Sequence, residues 1–164
     1  MNHEKLGPEQ LRELYEEHGR VLLAYAQSLL QDRSASEDVL QQVFLQLLRR
    51  SVAVTGPPLH YLYRAIRNTA FNYRRSHARE EARLNSNGHW LEHPPGMEEM
   101  GLALQSALGE LPEEQREIVI LRVWGRMTLD EAALTLNVSA NTLASRYRYA
   151  LAKLKERLRP LDKE

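Results

Sequence analysis

The chain has 164 residues, 43% hydrophobic and 27% charged, with no cysteine. This suits one soluble domain or two small ones and excludes a disulfide frame, a thiol nucleophile and a Cys-type zinc site. The opening MNHEKLGPEQ lacks an apolar signal core, and no run of about 18 apolar residues follows, so no membrane insertion and a cytoplasmic location are expected. The formal net charge is zero, yet the charges are segregated. Residues 59–79 carry five Arg and no acid, 80–114 one Arg against eight Glu, and 115–160 nine Lys/Arg against four acids. Two basic blocks flank an acidic one, and such asymmetry says more than the total.

The first predicted helix starts at Pro8, a residue suited to a first turn, and runs through Leu11, Leu14, Tyr15, Leu22 and Leu29 towards Leu30. Ser34 followed by Glu37 reads as a capping box for a second helix, whose apolar face is Val39, Leu40, Val43, Phe44, Leu47 and Leu48. SVAVTGPP, residues 51–58, ends it through Gly and paired prolines. A third helix from about Leu59 should bury Leu59, Leu62, Ile66, Ala70 and Tyr73. Three helices with short connections predict a small bundle over residues 8–82. Residues 83–101, acidic and rich in Asn, Gly and Pro, read as a flexible linker.

A second module is expected over 102–160. Leu111-Pro112-Glu113-Glu114 opens a helix, with acids at its positive end, and Gly125 can close it. Thr128-Leu129-Asp130-Glu131 is another capping box, for a helix packing through Leu129, Ala132, Ala133 and Leu136. Asn137 suits a left-handed turn and Ser139 an N-cap. Helix, tight turn, helix, with alanines at the crossing, reads as a helix-turn-helix. The fold class is therefore all-α, two small helical domains joined by a linker.

The last helix carries an apolar stripe of Leu143, Tyr147, Ala150, Leu151, Leu154 and Leu158. Its other face offers Asn141, Thr142, Ser145, Arg148 and Tyr149, flanked by Arg146 and Lys153. Amide and hydroxyl groups can pair with base edges and Arg with guanine or phosphate, while carboxylates are missing from its first half. A solvated bundle face is the bland alternative. Opposite its stripe the third helix presents His60, Arg64, Arg67, Asn68, Phe71 and Arg75, cations around an aromatic, which suits a strand with exposed bases. A basic face with Phe71 packed on the linker explains the same residues. The second helix exposes Asp38, Gln41, Gln42, Leu45 and Arg49, an ordinary polar surface or a partner contact anchored by Leu45.

In this order the pieces resemble the extracytoplasmic-function group of the bacterial sigma-70 family. LYEEHGRVLLAYAQSLL, SEDVLQQVFLQLLRR and YLYRAIRNTAFNYRRS look like region 2. The stretch from LGELPEEQRE to LAKLKERL looks like region 4. The resemblance implies a promoter-recognition subunit of RNA polymerase that binds and does not catalyse, with no cofactor and no metal. It places Glu37, Asp38 and Gln41, with Gln42, Phe44, Leu45 and Arg49, at the β′ clamp helices of core polymerase. Arg64, Arg67, Asn68, Phe71, Asn72 and Arg75 fall at the −10 element, where the loop 51–58 would help hold an unstacked base. Asn141, Thr142, Ser145, Arg146, Arg148 and Tyr149 fall at the −35 duplex. The β flap and an anti-sigma factor are further implied partners. The acidic linker would thread towards a cleft lined by basic groups.

The chain departs from the family pattern in places. Tyr61-Leu62 stands for a Trp-Leu pair, Asn72 for an aspartate, and Asn141-Thr142-Leu143-Ala144-Ser145-Arg146 for Gly-Thr-Val-Lys-Ser-Arg. Tyr149 and Leu151 occupy places often basic. Fewer neutralised phosphates predict weaker −35 binding with a shallower salt dependence. Two other functions fit part of the pattern: a sigma-like decoy for an anti-sigma factor, and a free-standing helix-turn-helix regulator. His89-Trp90-Leu91-Glu92-His93 matches an inverted zinc-protease motif, but Gly88 and Pro94-Pro95 leave five residues for a helix that must be rigid.

Overall fold

The computed structural model describes residues 4–50, 53–78 and 101–159. The chain divides into two compact units, Met1–Asn85 and Ser86–Glu164. Among the described residues the first holds α1 (Pro8–Leu30), α2 (Arg33–Arg50) and α3 (Pro58–Ser76). The second holds α4 (Gly101–Glu110), α5 (Glu113–Val123), α6 (Leu129–Leu136) and α7 (Ala140–Leu158). Linker residues 83–100, with the His89–His93 motif, lie outside the described residues, and Gly101, expected to end the linker, starts α4.

In the first unit each helix packs on the other two. Leu22, Leu62, Ile66 and Ala70 are fully buried at the centre, as their spacing predicts. Tyr63 joins them, edge-on to Tyr25 with ring centroids 5.2 Å apart. Burial holds its phenol protonated, with a pKa well above the ordinary value. Leu59 and Tyr73 are only half-buried, and Leu48 lies exposed. α1 starts at Pro8, where the Gln10 side-chain oxygen accepts from the Gly7 N–H at 3.0 Å. The cap of α2 differs from expectation. Asp32 accepts from the Ala35 N–H at 2.9 Å, and Glu37 instead pairs with Arg33, one turn away on the same face, at 3.0 Å.

A two-residue antiparallel pairing escapes the sequence reading. β1 (Glu4–Lys5) lies against β2 (Ala53–Val54), Lys5 opposite Ala53. Val54 is buried, so the loop between α2 and α3 is pinned. Gly56 then takes φ +82°, a left-handed conformation that suits glycine, and Pro57-Pro58 opens α3.

In the second unit α7 packs on α4, α5 and α6. Thr128 and Glu131 cap α6 reciprocally: the Thr hydroxyl accepts from Glu131 N–H at 3.1 Å, and the Glu carboxylate accepts from Thr128 N–H at 2.7 Å. Asn137 takes the left-handed conformation expected, φ 53° and ψ 48°. Arg122 ties the elements together, donating to the Met127 carbonyl while its guanidinium lies 5.3 Å from the Tyr147 ring centroid.

Gly125 closes α5 because no side chain fits there. A Cβ at this position would meet the Leu121 carbonyl oxygen at 2.6 Å. Gly125→Ala is therefore expected to destabilise the second unit by about 1–3 kcal/mol, the usual range for forced overpacking. Urea unfolding followed by Trp124 fluorescence in a Trp90→Phe background checks this, and an unchanged midpoint would contradict it.

Candidate nucleic-acid and partner surfaces

Helix α3 places its polar residues by the same turn count that buries Leu62, Ile66 and Ala70. Arg64, Asn68, Asn72 and Arg75 are exposed, and Arg67 and Phe71 half-buried. The Phe71 ring is not an open stacking platform. The Arg67 guanidinium lies 4.4 Å from its centroid and that of Arg74 5.3 Å. At these distances the ring attracts cations through its quadrupole, so Phe71 gathers the arginines. Asn72 accepts from the Arg75 guanidinium.

Where α3 meets the pinned loop there is a cleft of about 340 Å³. Ala53 and Thr55 line it from the loop, and Tyr61, Arg64, Ala65 and Asn68 from α3. The cleft thus joins the loop and two of the arginine–asparagine residues on which the sequence focuses. Thr55 and Ala53 could not be singled out by motif, because their place depends on the β1–β2 pairing.

On α2, Glu37, Asp38, Gln41, Gln42, Leu45 and Arg49 share the exposed surface. Leu45 is 46% exposed, a large apolar side chain among polar ones. Phe44 departs from the expected docking set. It is 7% exposed and meets Tyr15 edge-to-face at 5.3 Å. Its position on the buried stripe next to Val43 and Leu47 leaves it a packing role.

On α7, Asn141, Thr142, Arg148 and Tyr149 are exposed and Ser145 half-buried. The buried stripe is Leu143, Ala150 and Leu154, with Tyr147 and Leu158 at its edges. Leu151, expected in that stripe, is 43% exposed. Tyr149 is 60% exposed and offers an aromatic on the polar face. Ser139 caps the helix, accepting from the Thr142 N–H at 3.1 Å and donating to the Thr142 hydroxyl at 2.8 Å. Arg146 is turned to the flank, its guanidinium 3.3 Å from the Glu114 carboxylate of α5.

These features define a two-unit all-α protein, a three-helix bundle with a cationic third helix followed by a capped helix-turn-helix. Among the described residues, no group of three or more His, Cys, Asp or Glu could hold a metal. No described helix is long and apolar enough to cross a membrane. Sigma-70 region 2 matches residues 14–80, and Sigma-70, region 4 matches residues 101–154. The RNA polymerase sigma-E factor of Streptomyces avermitilis is 30% identical over 144 residues, covering 86% of this chain and 80% of that one. The ECF RNA polymerase sigma factor SigL of Mycobacterium tuberculosis is 26% identical over 159 residues, 92% of this chain and 90% of its own. Among solved structures, the sigma factor RpoE in complex with the anti-sigma factor NepR from Bartonella quintana shares the fold. Its TM-score is 0.70 at 22% identity, covering 90% of this chain and 98% of that one. The chain belongs to the sigma-70 family of RNA polymerase sigma factors, in its extracytoplasmic-function (ECF) group.

The Ser139 cap is the local device that starts the polar face of α7 at Asn141. Ser139→Ala should cost about 1 kcal/mol and fray the first turn. Hydrogen exchange at the Thr142 amide should then quicken about fivefold. Unchanged exchange would mean that tertiary packing alone fixes this end.

Proposed function

We propose that this protein is a promoter-specificity subunit: it docks on core RNA polymerase and directs initiation at promoters with a −35 duplex and a melted −10 element. It works by binding and catalyses no reaction. The observation that carries the −10 assignment is the cleft where Thr55 and Ala53 of the pinned loop face Arg64 and Asn68 of α3. A base leaving the stack needs a recess with polar edges and cations close by for its phosphates. Asn68 supplies an amide, Thr55 a hydroxyl and Arg64 the charge. Asn72, Arg75, Arg67 and the Phe71-held Arg74 continue the cationic track.

Region 4 supplies the duplex contact. In a helix-turn-helix the second helix enters the major groove by its N-terminal residues. Here those are Asn141, Thr142 and Ser145, whose amide and hydroxyl groups suit base edges. Arg148 suits phosphate, and Tyr149 can contact sugar or a thymine methyl. On α2, Asp38, Gln41, Gln42 and Arg49 around Leu45 form the docking face for the clamp helices, with Glu37 held beside them by Arg33. An apolar anchor inside a polar rim is the usual anatomy of such a contact. The β flap is a further contact on polymerase, for region 4. An anti-sigma factor is a natural further partner, since the RpoE structure that shares this fold contains one. The work is done in the cytoplasm, where polymerase and promoter are.

The docking face is tested by retention of core polymerase on the immobilised full chain. Wild type should retain core, and the double variant Asp38→Arg/Gln41→Ala should lose at least about tenfold in affinity, since placing a like or unpaired charge at a contact typically costs over 1 kcal/mol. Its helical signal and melting should stay unchanged, because both residues are exposed. Retention by neither protein, with cognate core and no inhibitor, would favour the decoy or the free-standing regulator.

A further inference from the structure

The basic side chains of α7 are not equivalent. Arg146 and Arg157 both point to the elbow between α4 and α5. Arg146 meets Glu114 at 3.3 Å and Arg157 meets Glu110 at 2.9 Å. Glu110 and Glu114 flank the Leu111-Pro112 step, so one acidic elbow holds two cations along one flank of the helix. The Arg146 side chain is 32% exposed and that of Glu114 67%. A surface pair of this kind contributes little to folding. Its effect on binding a polyanion is another matter. A guanidinium already matched by a carboxylate releases less counterion on meeting a phosphate, and the carboxylate repels the same phosphate.

We propose that Glu114 is an affinity-setting residue: it acts as a built-in competitor for DNA phosphate by holding Arg146 on the flank of the recognition helix. This rests on the sigma reading, and it deepens that reading by explaining how −35 affinity is tuned. The outward face of α7 already has few cations near its start, with Arg148 the exposed one among residues 141–149. Arg146 is the next cation within the first two turns, where the groove contact lies. Arg157 sits three turns further on, about 16 Å along the axis, so its pairing with Glu110 lies far from that contact. Glu114 and Glu110 thus form a matched pair, one near the groove and one remote.

The test uses holoenzyme assembled from bacterial core and the full chain, on an upstream duplex first selected from a random library by wild-type holoenzyme. Binding is measured from 50 to 200 mM salt for Glu114→Gln, Arg146→Ala, the double variant and Glu110→Gln. Glu114→Gln should tighten binding and steepen the slope of log K against log salt by about 0.9, the contribution of one phosphate. Its gain should therefore shrink about threefold between 50 and 200 mM salt. The gain should vanish in the Arg146→Ala background, and Glu110→Gln should leave binding unchanged. Weaker or unaltered binding by Glu114→Gln would overturn the proposal, because Glu114 would then orient Arg146 towards DNA or play no part. An equal gain from Glu110→Gln would overturn it too, reducing the effect to bulk charge. Wild-type holoenzyme that selects no DNA would sink the sigma reading itself, and this proposal with it.

Discussion

Leu62, Ile66 and Ala70 lie fully buried along one stripe of α3, and that burial fixes what the opposite face can do. Burial of Leu62 and Ile66 contributes about 1.5–3 kcal/mol each. A rotation of the helix by half a turn, about two residues, would expose the stripe and bury Arg64 and Asn68. The hydrophobic effect thus orients the cations, although it is indifferent to DNA. The same holds for α7, where Leu143, Ala150 and Leu154 turn Asn141, Thr142 and Arg148 outward. Small units of this kind have little core to spare, so their polar faces stay where packing puts them.

Periodicity made most of this legible. The stripes of α3 and α7, the Thr128–Glu131 capping box and the left-handed Asn137 all follow from local rules, because each depends on residues three or four apart. The cap of α2 shows the limit of those rules. Ser34 and Asp32 both precede the apolar run, and both are good N-caps. Asp32 takes the role because the helix already begins at Arg33, one residue before Ser34. Leu48 leaves the expected apolar face for a similar reason, while Phe44 keeps to it. A broad apolar face of six residues does not say which edge a neighbouring helix will cover, and Tyr15 covers Phe44.

What local rules miss is made by contacts distant in sequence. Tyr63, absent from the predicted stripe of α3, is buried in the core, where the Tyr25 ring meets it. Lys5 and Ala53 are neighbours through a two-residue ladder too short for any alternation to mark. That ladder holds the loop whose Ala53 and Thr55 complete the cleft beside Arg64 and Asn68. The Glu114–Arg146 pair is of the same kind. Charge counting finds a recognition helix poor in acids, whereas the acid that meets it comes from another helix.

In the proposed function the two units divide the labour of promoter recognition by chemistry. The first offers a recess, an amide and clustered guanidiniums, which suit unpaired bases on a single strand. The second offers short polar groups on a capped helix, which suit the edges of paired bases. The most direct measurement of this account is transcription from a random promoter library by core polymerase with and without the protein, read by sequencing transcript starts. Protein-dependent starts should share two upstream sequence blocks at a constant separation, the downstream block becoming reactive to permanganate as it melts. Starts identical with and without the protein, or a single enriched block with no melting, would contradict it.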